Sequence, residues 1–241
     1  MQEEPTITLQ VPRFTPWMRR LSQALAGLWL VSALWVYTGR SASQDALGSL
    51  VALALIPHRA VQGLELWRFV THPFLHDPSA LLPLLGSVLS LWLFGSPLER
   101  RWGPRPVLTV LAAGTVSGAL LLVGASFLEL RLLFERAYGM VGGGYALAVC
   151  WGLAHRDEQS SLFGLATLTG RQIAWLTLAL ALLWLLVDRS GNNVAGLGGA
   201  LGGALYARWR ARPRRPEAKT REGSGRFQVI EGGLSDKKWM N

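Results

Sequence analysis

Apolar residues fall into six blocks along this chain: Leu21 to Tyr37, Leu81 to Phe94, Val107 to Phe127, Gly139 to Ala154, Ile173 to Val187 and Val194 to Trp209. Short polar, proline-bearing or arginine-bearing segments separate them. A helix needs about 20 residues to cross a bilayer, so the pattern predicts helices that cross or nearly cross it. Several blocks fall short of that length, which predicts local bilayer thinning or shielding by neighbouring helices. A seventh stretch, Ala46 to Ile56, ends at Pro57 and is too short for a span. It suits an interfacial or core segment.

Composition sharpens this picture. Half of the 241 residues are hydrophobic and the mean hydropathy is +0.27, more apolar than a soluble domain could cover. The reading is an all-α polytopic membrane protein of six transmembrane helices with one membrane domain. Residues 1–20 form a cytoplasmic segment, 21–209 the membrane domain and 210–241 a short basic tail. The first twelve residues are polar and partly acidic, with no small-residue cleavage site after the first block, so that block is expected to stay as a span. A single cysteine excludes an intrachain disulfide.

The net charge of +9 comes from arginine, with lysine only at 219, 237 and 238. In a membrane protein such charge reports topology first, and nucleic acid is not the expected partner. Six spans place both termini on one face. That face holds eighteen of the Lys and Arg residues against six on the other, or eight to six without the tail. The bias sets both termini in the cytoplasm. Arginine-rich, lysine-poor usage points to a bacterial inner membrane.

Lipid is as apolar as leucine, so membrane helices associate through close backbone approach at small residues. The third block carries Gly114 and Gly118, and the fourth Gly139 and Gly143. The sixth carries Ala195, Gly199 and Gly203 on one stripe, with Gly198 and Gly202 beside it. Each glycine costs a helix about 1 kcal/mol relative to alanine. Some close contact must offset that cost, and the fourth and sixth helices are expected to touch.

From Leu64 onward the motifs accumulate in an ordered series. Trp67-Arg68 is followed by Thr71, Phe74 and His76. Phe94-Gly95 leads to Leu98-Glu99, Arg101 and Gly103. Then come the glycine-rich turn Gly139 to Leu147 and the run Ala195-Gly196-Leu197-Gly198-Gly199. In this order and on these blocks, the chain resembles the rhomboid superfamily across residues 50 to 210. The resemblance implies a six-helix bundle whose active members are serine proteases cutting helices within the bilayer. It places the family's serine at Val141 and its histidine at Gly196. Counting back from Phe94-Gly95, it places the oxyanion His and Asn at Pro83 and Ser87.

No shift of register repairs the loss. Cys150 is the only Ser, Thr or Cys between Ser126 and Ser160, and no histidine follows His155. Such hydrolysis needs a nucleophile whose proton passes to an adjacent base, and valine has no proton to give. Loss of either partner costs about a millionfold in turnover, and loss of an oxyanion donor a further ~10²–10³-fold.

Other chemistry is weaker. Cys150 and His155 are five apart and do not share a helix face, so Cys150 reads as a small apolar filler. His72 and His76 flank Pro73, which disturbs the spacing that would align two imidazoles on a metal. They read as structural, and no cofactor or metal is expected. Trp67 reads as an interfacial anchor, and Glu99 with Arg101 as an exposed ion pair in a loop, worth ~0–1 kcal/mol. The basic stretch Arg208 to Arg221 would be drawn to anionic lipid. The segment 226–231 alternates in polarity as a strand added to a partner would, although disorder is the simpler account.

The expected function is a rhomboid-like pseudoprotease that binds or routes transmembrane client helices in the bilayer without cutting them. The resemblance to inactive rhomboids and derlins implies this role. The alternative is an active intramembrane endopeptidase with atypical catalytic residues. A transporter would need charges along an intramembrane path, and the blocks carry none apart from Arg208.

Overall fold

The computed structural model describes residues 13–38, 51–162 and 166–212. The basic tail beyond residue 212, the segment 226–231, most of the N-terminal segment 1–20 and the start of the Ala46 to Ile56 stretch lie outside the described residues. The helices are α1 (Pro16–Thr38), α2 (Pro57–Val61), α3 (Arg68–Thr71), α4 (Leu81–Ser90), α5 (Ser96–Trp102), α6 (Pro104–Ser126), α7 (Val141–Ala154), α8 (Gly170–Val187) and α9 (Gly191–Ala211). A π-turn over Leu91–Gly95 joins α4 to α5 into one rod. Every apolar block of the sequence is therefore helical.

Proline and glycine set the helix ends. Pro83 lies in the first turn of α4 and Pro106 in that of α6, where a missing N–H costs nothing. Gly103 separates α5 from α6 at φ +80°, a conformation that an L side chain rarely adopts. Thr169 opens α8 with a capping box, accepting from Gln172 N at 3.3 Å while its own N–H donates to Gln172 Oε1 at 2.8 Å.

Four helical stretches are long and apolar enough to cross a membrane by length and composition: 16–38, 81–102, 104–126 and 170–187. The α7 helix has 14 residues. The α9 helix has 21 but is glycine-rich and carries Arg208 and Arg210 in its last turn. An antiparallel hairpin, β1 (Gln159–Leu162) with β2 (Ala166–Thr169), links α7 to α8. The apolar-block reading does not reach this hairpin, which is too short and polar to show there.

The main core gathers Met18 and Leu25 of α1, Leu91 and Leu98 of the α4–α5 rod, Val107 and Val110 of α6, and Leu147 and Cys150 of α7. A second cluster packs Leu55, Ala119, Leu122, Leu132 and Val194. There the chain segments at Leu55 and Ala137 exchange both backbone hydrogen bonds at 2.9 Å. That bridge fixes the loop before α7, and with it the start of the candidate site.

Candidate functional site

The loop preceding α4 is organised by a buried cation. Arg68 is 1% exposed and is held by the Glu65 carboxylate. Its guanidinium donates to the carbonyls of Val51 (2.7 Å) and Ala54. Thr71 Oγ1 donates to the Leu53 carbonyl at 2.9 Å. The Leu53 and Ala54 carbonyls belong to no helix or strand ladder, and a buried carbonyl left unpaired costs about 1–3 kcal/mol. Trp67 and Phe74 stay exposed on the same loop.

Two histidines connect that loop to α7. His72 Nδ1 lies 2.8 Å from the Arg68 carbonyl, so it carries the proton there, and the His72 carbonyl accepts from Gly139 N–H at 2.9 Å. Burial pushes its pKa down to about 4 despite the favourable carbonyl of Arg68, so the ring is neutral at pH 7. His76 is also buried, and desolvation lowers its pKa in the same direction. Its Nε2 sits 2.9 Å from Ser87 Oγ, which is 3.1 Å from the Pro83 carbonyl. One proton arrangement satisfies both contacts: Nε2–H donates to Ser87, and the Ser87 hydroxyl donates to Pro83. His76 Nδ1 then keeps a buried lone pair without a full partner.

Gly139 has φ +83°, and a Cβ on it would lie 3.5 Å from the His76 ring. Its role is therefore the turn into α7, which corrects the expectation that Gly139 serves helix packing, while the fourth and sixth helices do meet, through other residues of α7. Gly143 faces Leu111 and Thr115 of α6. The α7 face that meets α9 is one residue out of phase, at Gly142 and Ala146. Any Cβ on Gly199 would run into the Gly142 backbone, and one on Gly203 would come within 2.6 Å of Ala146 Cα. On α6, a Cβ at Gly118 would overlap the Ala195 carbonyl, and Ser117 Oγ donates to the Gly198 carbonyl at 2.9 Å. The three helices thus meet backbone to backbone.

Val141 and Gly196, the two positions that the resemblance marks for the dyad, face each other at the rim of this seam. A Cβ on Gly196 would be 3.2 Å from both Val141 Cγ1 and Tyr145 Cε2. Pro83 contributes a carbonyl, and Ser87 is turned inward onto His76. Cys150 lies two turns further along α7, fully buried, its Sγ 3.0 Å from the Gly203 carbonyl.

Glu99 and Arg101 are not the exposed pair that their spacing suggests. Glu99 is 8% exposed and accepts from Thr15 Oγ1, Trp17 N (3.3 Å) and Met18 N (3.2 Å). It caps the first turn of α1, where free N–H groups and the helix dipole favour a carboxylate. Arg101 pairs instead with Glu158 at 2.9 Å, beside the β-hairpin. The separation of 82 residues between Trp17 and Glu99 hides this contact from any local reading.

A cavity of about 400 Å³ opens beside the His76 loop. Its walls come from residues 51–54, 75–78, 134–138 and 190–192, including Asp77, Glu135, Arg136, Tyr138, Ser190 and Asn192. Burial and the neighbouring Asp77 carboxylate raise the Tyr138 pKa. Tyr138 N–H donates to Asn192 Oδ1 at 2.9 Å. No sequence motif brings these residues together; only the turn of the chain does.

The rhomboid domain family matches residues 63–213. The chain is 34% identical to the rhomboid protease GlpG of Serratia proteamaculans over 159 residues, 66% of this chain and 53% of that protein. It is 28% identical to the rhomboid protease GlpG of Yersinia pestis and to that of Yersinia pseudotuberculosis, in each case over 160 residues, 65% of this chain and 52% of the relative. The chain thus spans about half the length of these relatives. The matched region holds the Arg68 loop, the glycine seam and the facing positions Val141 and Gly196, and this chain, an integral membrane protein, belongs to the rhomboid family.

Proposed function

We propose that this protein is a rhomboid pseudoprotease that holds transmembrane helices of client proteins without hydrolysing them. The carrying observation is the facing pair Val141 and Gly196, 3.2 Å apart by the Cβ that Gly196 lacks. Neither side chain can supply a nucleophile or a base. The backbone seam that would present such groups is intact, so a recognition surface persists where the chemistry does not. We place six crossings in a bacterial inner membrane with both termini cytoplasmic, on the eighteen-to-six charge bias. Reporter fusions at Asn241 and within 131–136 then fall on opposite sides, and the same side for both rejects six crossings.

Purified protein in bilayers should bind a fluorescent, helix-destabilised single-span substrate saturably and release it at unchanged mass. Cleavage above a protein-free blank overturns this reading.

A second reading has a specific observation behind it. His76–Ser87 is the one Ser–His hydrogen bond among the described residues, and the relatives are named proteases. An endopeptidase using Ser87 would need the opposite His76 tautomer, with Nε2 free to accept the serine proton. A fluorophosphonate probe discriminates. Labelling that disappears in Ser87→Ala supports the endopeptidase, and no labelling supports the pseudoprotease.

A further inference from the structure

The cavity beside the His76 loop is lined by charge of both signs. Among the described residues, Arg136 makes no ion pair and no side-chain hydrogen bond, although it lines the cavity. The Asn192 amide oxygen is engaged by Tyr138 N–H, which leaves both of its N–H donors free. Ser190, next to it, offers a hydroxyl. These three donors suit the oxygens of a phosphate. Asp77 and Glu135 line the same space. Asp77 Oδ1 accepts from Ser79 N–H at 2.8 Å and from Ser79 Oγ at 2.5 Å. Glu135 takes both of its contacts with Arg131, Nε and Nη2 at 3.3 Å each, on the single oxygen Oε1. With about four lone-pair sites each, the two carboxylates leave room for an ammonium group.

The surroundings set the depth at which this cavity lies. Phe134 lines it and is 67% exposed, its ring tilted against that of His58 at 5.2 Å between centroids. Phe127, Leu128 and Leu130 on the same connection are exposed as well, as are Leu64, Leu66 and Trp67 on the facing loop. Large apolar side chains exposed on loops, with tryptophan among them, belong at the membrane interface. The cavity mouth therefore stands at headgroup level, and its volume of about 400 Å³ is in the range that holds small ligands.

We propose that this cavity binds a zwitterionic phospholipid headgroup of the phosphoethanolamine type. Arg136, Asn192 and Ser190 hold the phosphate, and Asp77 and Glu135 hold the primary ammonium. The site rests on the cavity and its charges, independently of whether the protein cleaves clients.

Native mass spectrometry of the full chain, incubated with equal amounts of phosphatidylethanolamine, phosphatidylcholine and phosphatidylglycerol of matched acyl chains, tests it. Phosphatidylethanolamine should be retained preferentially, because phosphatidylcholine cannot donate hydrogen bonds to the carboxylates and phosphatidylglycerol has no cation. Arg136→Gln should reduce its retention about tenfold, the scale of a lost charge-assisted hydrogen bond. Glu135→Gln should erase the preference over phosphatidylglycerol while leaving phosphate-dependent binding. Arg105→Gln, at the start of α6 and outside the cavity, should change nothing. Soluble phosphoethanolamine at millimolar concentration should displace the lipid. Equal retention of all three lipids overturns the proposal and leaves the cavity to a polypeptide segment. Preference for phosphatidylglycerol reduces it to a simple anion site, and failure of the soluble headgroup to compete places recognition in the glycerol and acyl part. Either result rejects a headgroup site.

Discussion

The two regions that build this site are held rigid by opposite means. In the seam of α6, α7 and α9, glycines let backbones approach directly, Gly199 against Gly142 and Gly203 against Ala146. In the loop of residues 51–77, buried polar side chains occupy the space between backbones: Arg68 and Thr71 donate to the carbonyls of Val51 and Leu53, and His72 to that of Arg68. The regions join where Gly139 N–H donates to the His72 carbonyl. Neither depends on what stands at Val141 or Gly196. Packing and buried hydrogen bonds, rather than reactive side chains, position this part of the rhomboid framework.

Acid separates the regions most. His72 has a folded pKa of about 4 against an ordinary 6.5, so the unfolded chain binds a proton that the native chain refuses. Stability from this group is full above pH 6.5 and is lost as pH falls toward 4, on the order of 3 kcal/mol in all. His76 is shifted the same way and adds to the same window. The difference in thermal stability between the protein and His72→Gln, followed from pH 7 to pH 4, should shrink or reverse. A constant difference would mean that His72 is not held neutral by burial, and the loop would lose its distinct pH signature.

Overpacking tests the seam next. Gly199→Leu should cost about 1–3 kcal/mol or more, because the atoms it meets are backbone and cannot rotate away. The control is Gly27→Leu, where an added Cβ meets nothing within 4 Å and leucine improves helix propensity by several tenths of a kcal/mol. Equal melting temperatures for the two variants would remove the direct backbone contact from the comparison.

The smallest effect refines the seam from within. Ser117→Ala removes the hydroxyl that donates to the Gly198 carbonyl, and interhelical bonds of this kind average ~0.6 kcal/mol in membrane proteins. A loss several times larger in chemical unfolding would show that the seam, like the loop, relies on polar groups.

Much of this molecule is legible along the chain. The six apolar blocks are helices, and Pro83, Gly103 and Pro106 mark their ends, because bilayer length and backbone stereochemistry act locally. The motif residues Trp67, Arg68, Thr71 and His76 are visible as a group, although nothing local says that Arg68 serves carbonyls at 51 and 54. Glu99 and Arg101 mislead, since adjacency suggests a pair while each finds a partner far away in the chain. Gly139 and Gly143 mislead because Gly139 is a left-handed turn ahead of α7, which begins at Val141, while the glycine that meets α9 is Gly142.

The sequence by itself determined the membrane class, the helical blocks, the family's motifs and the valine and glycine that stand at 141 and 196. Those follow from residue chemistry and from periodicities that need no partner. Tertiary structure alone decided that Val141 faces Gly196, that Gly142 is the residue α9 rests upon, that Glu99 caps α1, and that Arg136, Asp77 and Asn192 share one cavity. Each joins segments dozens of residues apart, and such contacts are selected by close packing and by the cost of leaving a buried polar group unpaired.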